Sequence, residues 1–516
     1  MNMGDALPRN AQRFPNKLAI VEERRRLTHL DLHLRTNRLA NYFLRQGVGP
    51  GDRVALACGN RSEHLEIIFA LGKIGVTAIP FDFRWGLGEY EAMINFFEPK
   101  AFFLEERKET TGVWRLLFER LKPKKLLAID GIGDRHATPY EDAMAAVSPD
   151  DPGIRVDGKE PFIIMITSGT TGFPKACVIN HDTYALRSLN NAISKGLNDR
   201  ERGLLPLPLH LNAGRQSAMT LLYLGGTVFL LPRFDEETFL RTIEQERITY
   251  TILVPAMCQR LLRYPGLDRF DKSILSFVGI SAGHLSSEMA AAMMERLSPH
   301  VYEAYASTDC GQITILKPED RARHGDSVGR PIWAVRLRVN NENGHELTLG
   351  HAGEICLRSP MAIEGYYRNP EATAEFFSDG WCHTGDIGFL DDEGFLHVVG
   401  RKKNMIKSGG ISIFPEEIEA VLATHPDLAE VAVVGCRHPE WGEAVKALVV
   451  PKKNALVDPE RIIEFCKDSL APYKAPKVIE VVTHLPRTAL GKIDRGKLEI
   501  EETPVGEVEP REPGTA

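Results

Sequence analysis

Short runs of Val, Ile, Leu and Phe recur along most of the chain, separated by longer segments in which apolar residues return at helical spacing. The runs "RVALAC" at Arg53, "AFFLE" at Ala101, "FIIMIT" at Phe162, "TVFLL" at Thr227, "YTILV" at Tyr250 and "LSFVGI" at Leu275 read as strands buried on both faces. Between them, "RSEHLEIIFALGKIG" at Arg61 and "DEETFLRTIEQER" at Asp235 read as amphipathic helices. Strand and helix in alternation predict an α/β architecture rich in parallel strands. No period repeats as in a solenoid. The most apolar window, "LLYLGGTVFLLP" at Leu221, is broken by Gly225 and Gly226 and reads as a buried turn or strand pair; no run approaches the length of a membrane span.

The texture changes near Arg401. "FPEEIEAVLATHP" reads as a short helix with Ile418, Val421 and Leu422 on one face, followed by strands "EVAVVGCR" and "AVKALVVPK", a helix "DPERIIEFCKDSL" and a strand "KVIEVV". The expected division is a large N-terminal domain over residues 1–400, a junction at 401–403, a small α+β domain over 404–502 and a disordered Glu/Pro-rich tail over 503–516.

Composition narrows the function. The net charge is −7, with both signs spread along the 516 residues, so no basic stripe points to nucleic acid. Eight separated cysteines, with no CxxC pair and no zinc spacing, fit a reducing compartment. The N-terminus lacks the charged-then-apolar layout of a secretion signal, which makes the expected setting cytoplasmic.

The candidate chemistry starts at "IMITSGTTGFPKACVINH". Gly169 and Gly172 let the backbone approach an anion; Thr167, Ser168, Thr170 and Thr171 add hydroxyls, and Lys175 adds charge. A Walker A loop is excluded, because only two residues separate the glycines and no Ser or Thr follows the lysine. A Gly/Thr-rich hairpin turn remains the alternative on composition alone. "GVGPGDRVAL" is no dinucleotide fingerprint, since it precedes its strand.

"TSGTTGFPK" resembles the phosphate-loop signature of the adenylate-forming superfamily of acyl-CoA synthetases, peptide-synthetase adenylation domains and luciferases. The same order continues with "LPLPLHLNA" at Leu205, "YASTD" at Tyr305, "GEICLRSP" at Gly353, "GWCHTGDIGFLDDEG" at Gly380, "GRKKNMIKSGG" at Gly400 and "PRTALGKIDR" at Pro486. The resemblance implies a large adenylation domain and a small mobile C-terminal domain. It implies an AMP-forming acid–thiol ligase acting on a fatty or aromatic acid with ATP, Mg2+ and coenzyme A. Two other readings stay open: an adenylating enzyme that loads a carrier protein, and a nucleotide-binding protein without catalysis. A homodimer is compatible with the resemblance.

The resemblance also assigns residues. Lys492 bridges the incoming carboxylate and the α-phosphate; a cation about 4 Å away is worth about 4 kcal/mol at an effective dielectric near 20, roughly a thousandfold in rate. Lys175 and the loop hydroxyls hold the outer phosphates. Asp386 takes the ribose hydroxyls, with Arg401 assisting. Ala282, Gly283 and Tyr305 flank adenine, Ala306 and Ser307 lie beside the adenylate, Thr308 donates to the α-phosphate and Asp309 is the magnesium carboxylate. His210 sits at the acyl-pocket floor. Lys403 is the hinge, and Gly409 and Gly410 line the thiol tunnel.

Ordinary structural roles compete for several of these: a core tyrosine or histidine, a turn-capping aspartate, surface Arg and Lys, a glycine turn. Arg215, with Asn212 and Gln216, is either a pocket residue suited to a polar or second-carboxylate acid or a solvent-facing one. The sequence departs from the usual pattern at Ala306 (glycine), Asp309 (glutamate) and His284 (proline).

Overall fold

The computed structural model describes residues 2–105, 126–129, 138–145, 147–167, 175–408, 411–439, 441–453, 455–487 and 493–498. Two units make up the chain. The first comprises Met1–Leu337, Cys356–His383 and Glu393–Leu396; the second comprises Arg338–Ile355, Thr384–Asp392 and the chain from His397 onward. Asp386 therefore falls in the second unit, although it precedes residue 401.

Two large sheets lie wholly within the first unit. In the eight-stranded sheet, Thr77–Pro80, Arg53–Ala57, Ala101–Glu105, Leu126–Ile129 and Thr138–Pro139 run parallel, and Pro161–Thr167 pairs parallel with Thr77–Pro80. Lys175–Asn180 returns antiparallel, with Thr167 opposite Lys175, and Gly365–Tyr366 closes that edge against Cys177 and Val178. In the nine-stranded sheet, Leu18–Glu22, Thr227–Leu230, Arg202–Leu205, Tyr250–Leu253, Phe277–Ile280 and Val301–Ser307 run parallel, with antiparallel strands at both ends.

The predicted apolar runs lie in these strands, and they are buried because helices cover them. One expectation is corrected. "LLYLGGTVFLLP" is neither a turn alone nor a strand pair: the helix Asn212–Leu224 ends there, Gly225 takes the left-handed conformation at φ 91°, and Thr227–Leu230 follows. The pair of glycines stops a helix, which a run of apolar residues does not by itself distinguish from a strand.

The strand at Lys175 ends at Asn180, whose side chain then accepts from Thr183 N at 2.7 Å and caps the helix His181–Lys195. That helix packs against Asn212–Leu224 in the core between the sheets.

In the second unit, Leu428–His438 and Gly442–Pro451 form a long antiparallel hairpin, flanked by Ile406–Ser408 and Ile411–Ile413 and by Val478–Val481, which pairs parallel. Helices Pro415–Leu422 and Pro459–Ser469 cover one face, burying Ile418, Leu422, Ile462 and Cys466.

Candidate active site

In α/β sheets ligands bind beyond the carboxyl ends of parallel strands, because loops there are free to vary while the strands hold them in place. The chemically distinctive residues of the first unit are found at such ends. Asp82 and Arg84 follow Thr77–Pro80, Thr167 ends Pro161–Thr167, His210 follows Arg202–Leu205, Ala282 and Gly283 follow Phe277–Ile280, and Asp309 follows Val301–Ser307.

Asp309 lies in a turn pinned on several sides. Its carbonyl accepts from Ile363 N at 2.8 Å and from Arg187 Nη2 at 3.0 Å, and Arg187 Nε also donates to Met361 O at 2.9 Å. Ser307 Oγ accepts from Cys310 N at 3.0 Å, which closes the turn across Thr308. The Asp309 carboxylate accepts from Cys177 Sγ at 3.0 Å. Burial, followed by the Asp309 charge, pushes the Cys177 thiol well above its usual range, so it stays protonated and donates. This bond joins the lysine-bearing strand of one sheet to the acidic turn of the other.

Lys175 Nζ lies 5.0 Å from the centre of the Tyr366 ring, a cation–π contact, and 3.9 Å from Glu375. Burial and then Asp309 hold the Tyr366 hydroxyl far above its ordinary range, so it too is protonated. Thr167 Oγ1 donates to Lys175 O at 3.2 Å. Tyr305 is half-buried on the Asp309 strand and Ala306 is exposed. Ala282 has φ 65°, left-handed for a residue with a side chain, the kind of strain that collects at ligand sites. His284 pairs through Nδ1 with Glu303, which also accepts from Arg321 at 3.2 Å, so the histidine ties its loop to the strand that carries Tyr305.

The His210 turn is held from two sides. Asn60 donates to Leu207 O and Leu231 O at 3.0 Å and accepts from Leu209 N at 2.9 Å. Arg215 is fully buried, not solvent-facing: its Nη1 donates to Leu209 O at 3.0 Å and His210 O at 3.1 Å, and Nη2 reaches Met165 Sδ on the strand before Thr167. Gly214 makes this packing possible, since a Cβ there would sit 2.7 Å from the carbonyl oxygens of Leu207 and Pro208. The His210 side chain is buried; Nε2 lies 3.5 Å from Asp82 Oδ2, and Phe83 meets the ring edge-on at 5.7 Å.

In the second unit, Arg401 Nε pairs with Asp386 Oδ1 at 2.7 Å; the Asp386 side chain is buried and that of Arg401 half-exposed. Gly385, at φ 68°, lets "HTGD" turn so that Asp386 N donates to Thr384 Oγ1 at 3.0 Å. Lys403 is exposed in the short 3-10 turn Lys402–Asn404. Ser168, Gly169, Thr170, Thr171, Gly172, Gly409, Gly410, Lys492 and the tail lie outside the described residues.

The structure thus brings Lys175 and Thr167 together, links both to Asp309 through Cys177 and Tyr366, and pairs Asp386 with Arg401. Arg215 links the His210 turn to the strand of Thr167. Cys177, Tyr366, Arg187, Asp82 and Arg84 were not singled out from the sequence. Cys177 carried a signal, since it follows Lys175 by two on one strand and shares its face; Arg187 in a helix carried none. Among the described residues, no group of three or more His, Cys, Asp or Glu is set to hold a metal ion, and no helix is long and apolar enough to cross a membrane.

An α/β body with hydroxyl, lysine and acidic groups at its strand ends, and a small α+β unit in which a buried Asp386 pairs with a half-exposed Arg401, fit the class of adenylate-forming enzymes. The chain belongs to the AMP-binding enzyme family: the family's main model matches residues 7–367 and the model of its C-terminal domain matches 417–492. It is 33% identical over 503 residues to an indoleacetate–CoA ligase of Aromatoleum aromaticum, covering 96% of each chain. It is 32% identical over 493 residues to a feruloyl-CoA synthase of an Amycolatopsis species, covering 95% of this chain and 97% of the relative. Among solved structures, o-succinylbenzoate CoA synthetase from Bacillus subtilis, in complex with its acyl-adenylate intermediate, superposes with a TM-score of 0.84 at 27% identity, covering 96% of this chain and 97% of that one. The protein is an acid–thiol ligase that activates a carboxylic acid with ATP to acyl-AMP and passes the acyl group to the thiol of coenzyme A.

Proposed function

We propose that the acid is an aromatic carboxylic acid and that the residues above divide the two steps between them. The observation that carries the assignment of roles is the Cys177–Asp309 bond, because it ties the strand bearing Lys175 to the turn bearing the only carboxylate in "YASTD". Lys175, Thr167 and the loop between them hold the outer phosphates, and Thr308 donates to the α-phosphate. Tyr305, with Ala282, Gly283, Ala306 and Ser307, forms the adenine wall. In the second unit Asp386 receives the ribose hydroxyls, oriented by Arg401.

Asp309 suits Mg2+. A single carboxylate fits an ion that keeps its waters and completes its shell with phosphate oxygens, and no denser cluster of ligands stands among the described residues. Bound there, the ion would neutralise phosphate charge. The Lys492 ammonium offsets the repulsion between the acid and the α-phosphate. The chain then pivots at Lys403, withdrawing Lys492 and presenting Gly409 and Gly410 to the thiol; glycines leave room for a narrow chain.

An aromatic acid is supported by the named substrates of the relatives and by Phe83, edge-on to His210 at the acyl floor. Eight cysteines, all free and buried, support a cytoplasmic setting. A panel of aryl, fatty and dicarboxylic acids tested for acid-dependent pyrophosphate release decides the substrate class, with kcat/KM for aryl acids expected to be highest. Fatty acids turning over faster would refute that choice. Lys492→Ala is expected to abolish pyrophosphate release while transfer from supplied acyl-adenylate persists; equal loss in both would make the lysine structural.

A further inference from the structure

The loop that follows Phe277–Ile280 holds a strained residue between fixed points. Ala282 has φ 65°, a conformation opposed by its own Cβ, and such residues persist only where their surroundings over-determine them. Before it, Ser281 N donates to Leu253 O at 3.0 Å; after it, Leu285 is fully buried. Gly283 passes close to the start of the helix Pro255–Arg263, since a Cβ there would stand 3.0 Å from Pro255 Cγ.

His284 adds an anchor of another kind. Its ring is exposed, yet Nδ1 reaches the carboxylate of Glu303, a buried residue of Val301–Ser307. Arg321 Nη2 donates to Oε2 of that carboxylate at 3.2 Å, so Oε1 is left to accept and the proton of the histidine bond sits on Nδ1. Arg321 is itself buried, with Nε and Nη1 unpartnered among the described residues, so its charge has Glu303 to answer it and the acid is held in place. Glu303 lies beside Ile280 on the neighbouring parallel strand and two positions before Tyr305, on the same face of the sheet. The bond therefore runs from the strained loop to the strand that presents Tyr305. Where the pattern described above has proline, whose ring restrains the backbone covalently, this chain has a histidine that restrains it through a side-chain bond. Gly283 and Ala306 are exposed and Ala282 and Tyr305 partly so, which leaves loop and strand accessible to a ligand while Glu303 is not.

We propose that His284 is a positioning residue for the adenine of ATP: by bonding to Glu303 it keeps the Ala282–Gly283 backbone set against the Tyr305 strand, so that the base meets a preformed wall. This rests on the adenine wall proposed above. His284 acts through the loop rather than on the reacting atoms. It raises the fraction of molecules whose loop is ready, and apparent affinity for the nucleotide falls in proportion when that fraction falls. Contacts to the phosphates are spared, since Thr167 and Lys175 belong to the other sheet.

The test separates the base from the rest of the nucleotide in the full-length protein. Calorimetry reads the affinity for AMP and, in a second titration, for inorganic tripolyphosphate, which has no base; acid-dependent ATP–pyrophosphate exchange reads KM for ATP and for the acid. His284→Ala is expected to weaken AMP binding and raise KM for ATP by about 3- to 10-fold, as for a loop that is ready only about a tenth to a third of the time. Tripolyphosphate affinity, KM for the acid and kcat are expected to stay within about twofold. His284→Asn returns an N–H donor near the position of Nδ1 and should recover most of the loss. Unchanged AMP affinity, AMP and tripolyphosphate weakened alike, a change confined to the acid, or no recovery with asparagine would overturn the proposal. Should His284→Ala not fold, His284→Leu, which keeps bulk without a donor, is expected to show the same losses and is judged by the same outcomes. Wild-type protein that binds tripolyphosphate but not AMP would instead refute the adenine wall itself.

Discussion

Cys177 shows how one atom sets the character of a charged group. Its thiol is the described donor to Asp309 Oδ1, and replacing it by alanine leaves that oxygen without its partner and opens a small gap. We expect Cys177→Ala to lower stability by about 1–3 kcal/mol, read from the thermal midpoint, with Cys177→Ser recovering part of the loss. At this scale a motif named Lys175, Asp386 and Asp309 in the sequence, and the structure ties the strand of the first to the turn of the last through Cys177 and pairs Asp386 with Arg401. The sequence was not legible where a partner comes from another element. Asp82 lies 128 positions from His210, and nothing local in "IPFDFRWG" announces the pairing. The burial of Arg215 was equally hidden, because the sequence does not say that Met165 and the Leu209–His210 carbonyls would enclose it.

Helices and strands were read well where their period was clean and less well where burial ran all the way round. "RSEHLEIIFALGKIG" has an amphipathic pattern, yet every residue of Ser62–Lys73 is buried. Its polar side is neutralised inside the protein: Arg35 Nε pairs with Glu66 at 2.9 Å, Arg25 with Glu63 at 3.3 Å, and Tyr140 donates to Glu66 at 3.0 Å. A polar stripe facing solvent and one facing arginines look alike in one dimension. The helix Asn212–Leu224 supplies a prediction of its own. A side chain at Gly214 would meet two main-chain oxygens that cannot rotate away, so Gly214→Ala must push the His210 turn outward. The expected result is a loss of about 1–3 kcal/mol in stability together with a raised KM for the acid and little change in KM for ATP, measured by steady-state kinetics.

Over the whole molecule, burial of ionisable groups fixes the response to pH. Burial first, with nearby Lys17 for His29 and Lys73 for His33, lowers His29, His33 and His181 each to about 4. Unfolding frees them to bind protons at ordinary pH, so their contribution is present above the usual histidine range and is lost as pH falls from about 6.5 toward 4. Lys73 extends the same trend upward. Burial lowers it to about 7, and between there and its ordinary value the unfolded chain holds the extra proton, so stability rises with pH across that window. Thermal midpoints measured against pH should climb from acid through neutral, and Lys73→Met should flatten the rise above about pH 7.

The strand from Lys175 to Asn180 has a mechanical corollary. Asn180 ends the strand and caps the next helix, that helix carries Arg187 back to the Asp309 carbonyl, and Cys177 reaches the Asp309 carboxylate from the strand itself. Strand, cap, helix and acidic turn make a closed ring, so, on the role proposed for Lys175, a displacement of the lysine would reach the aspartate along both arms.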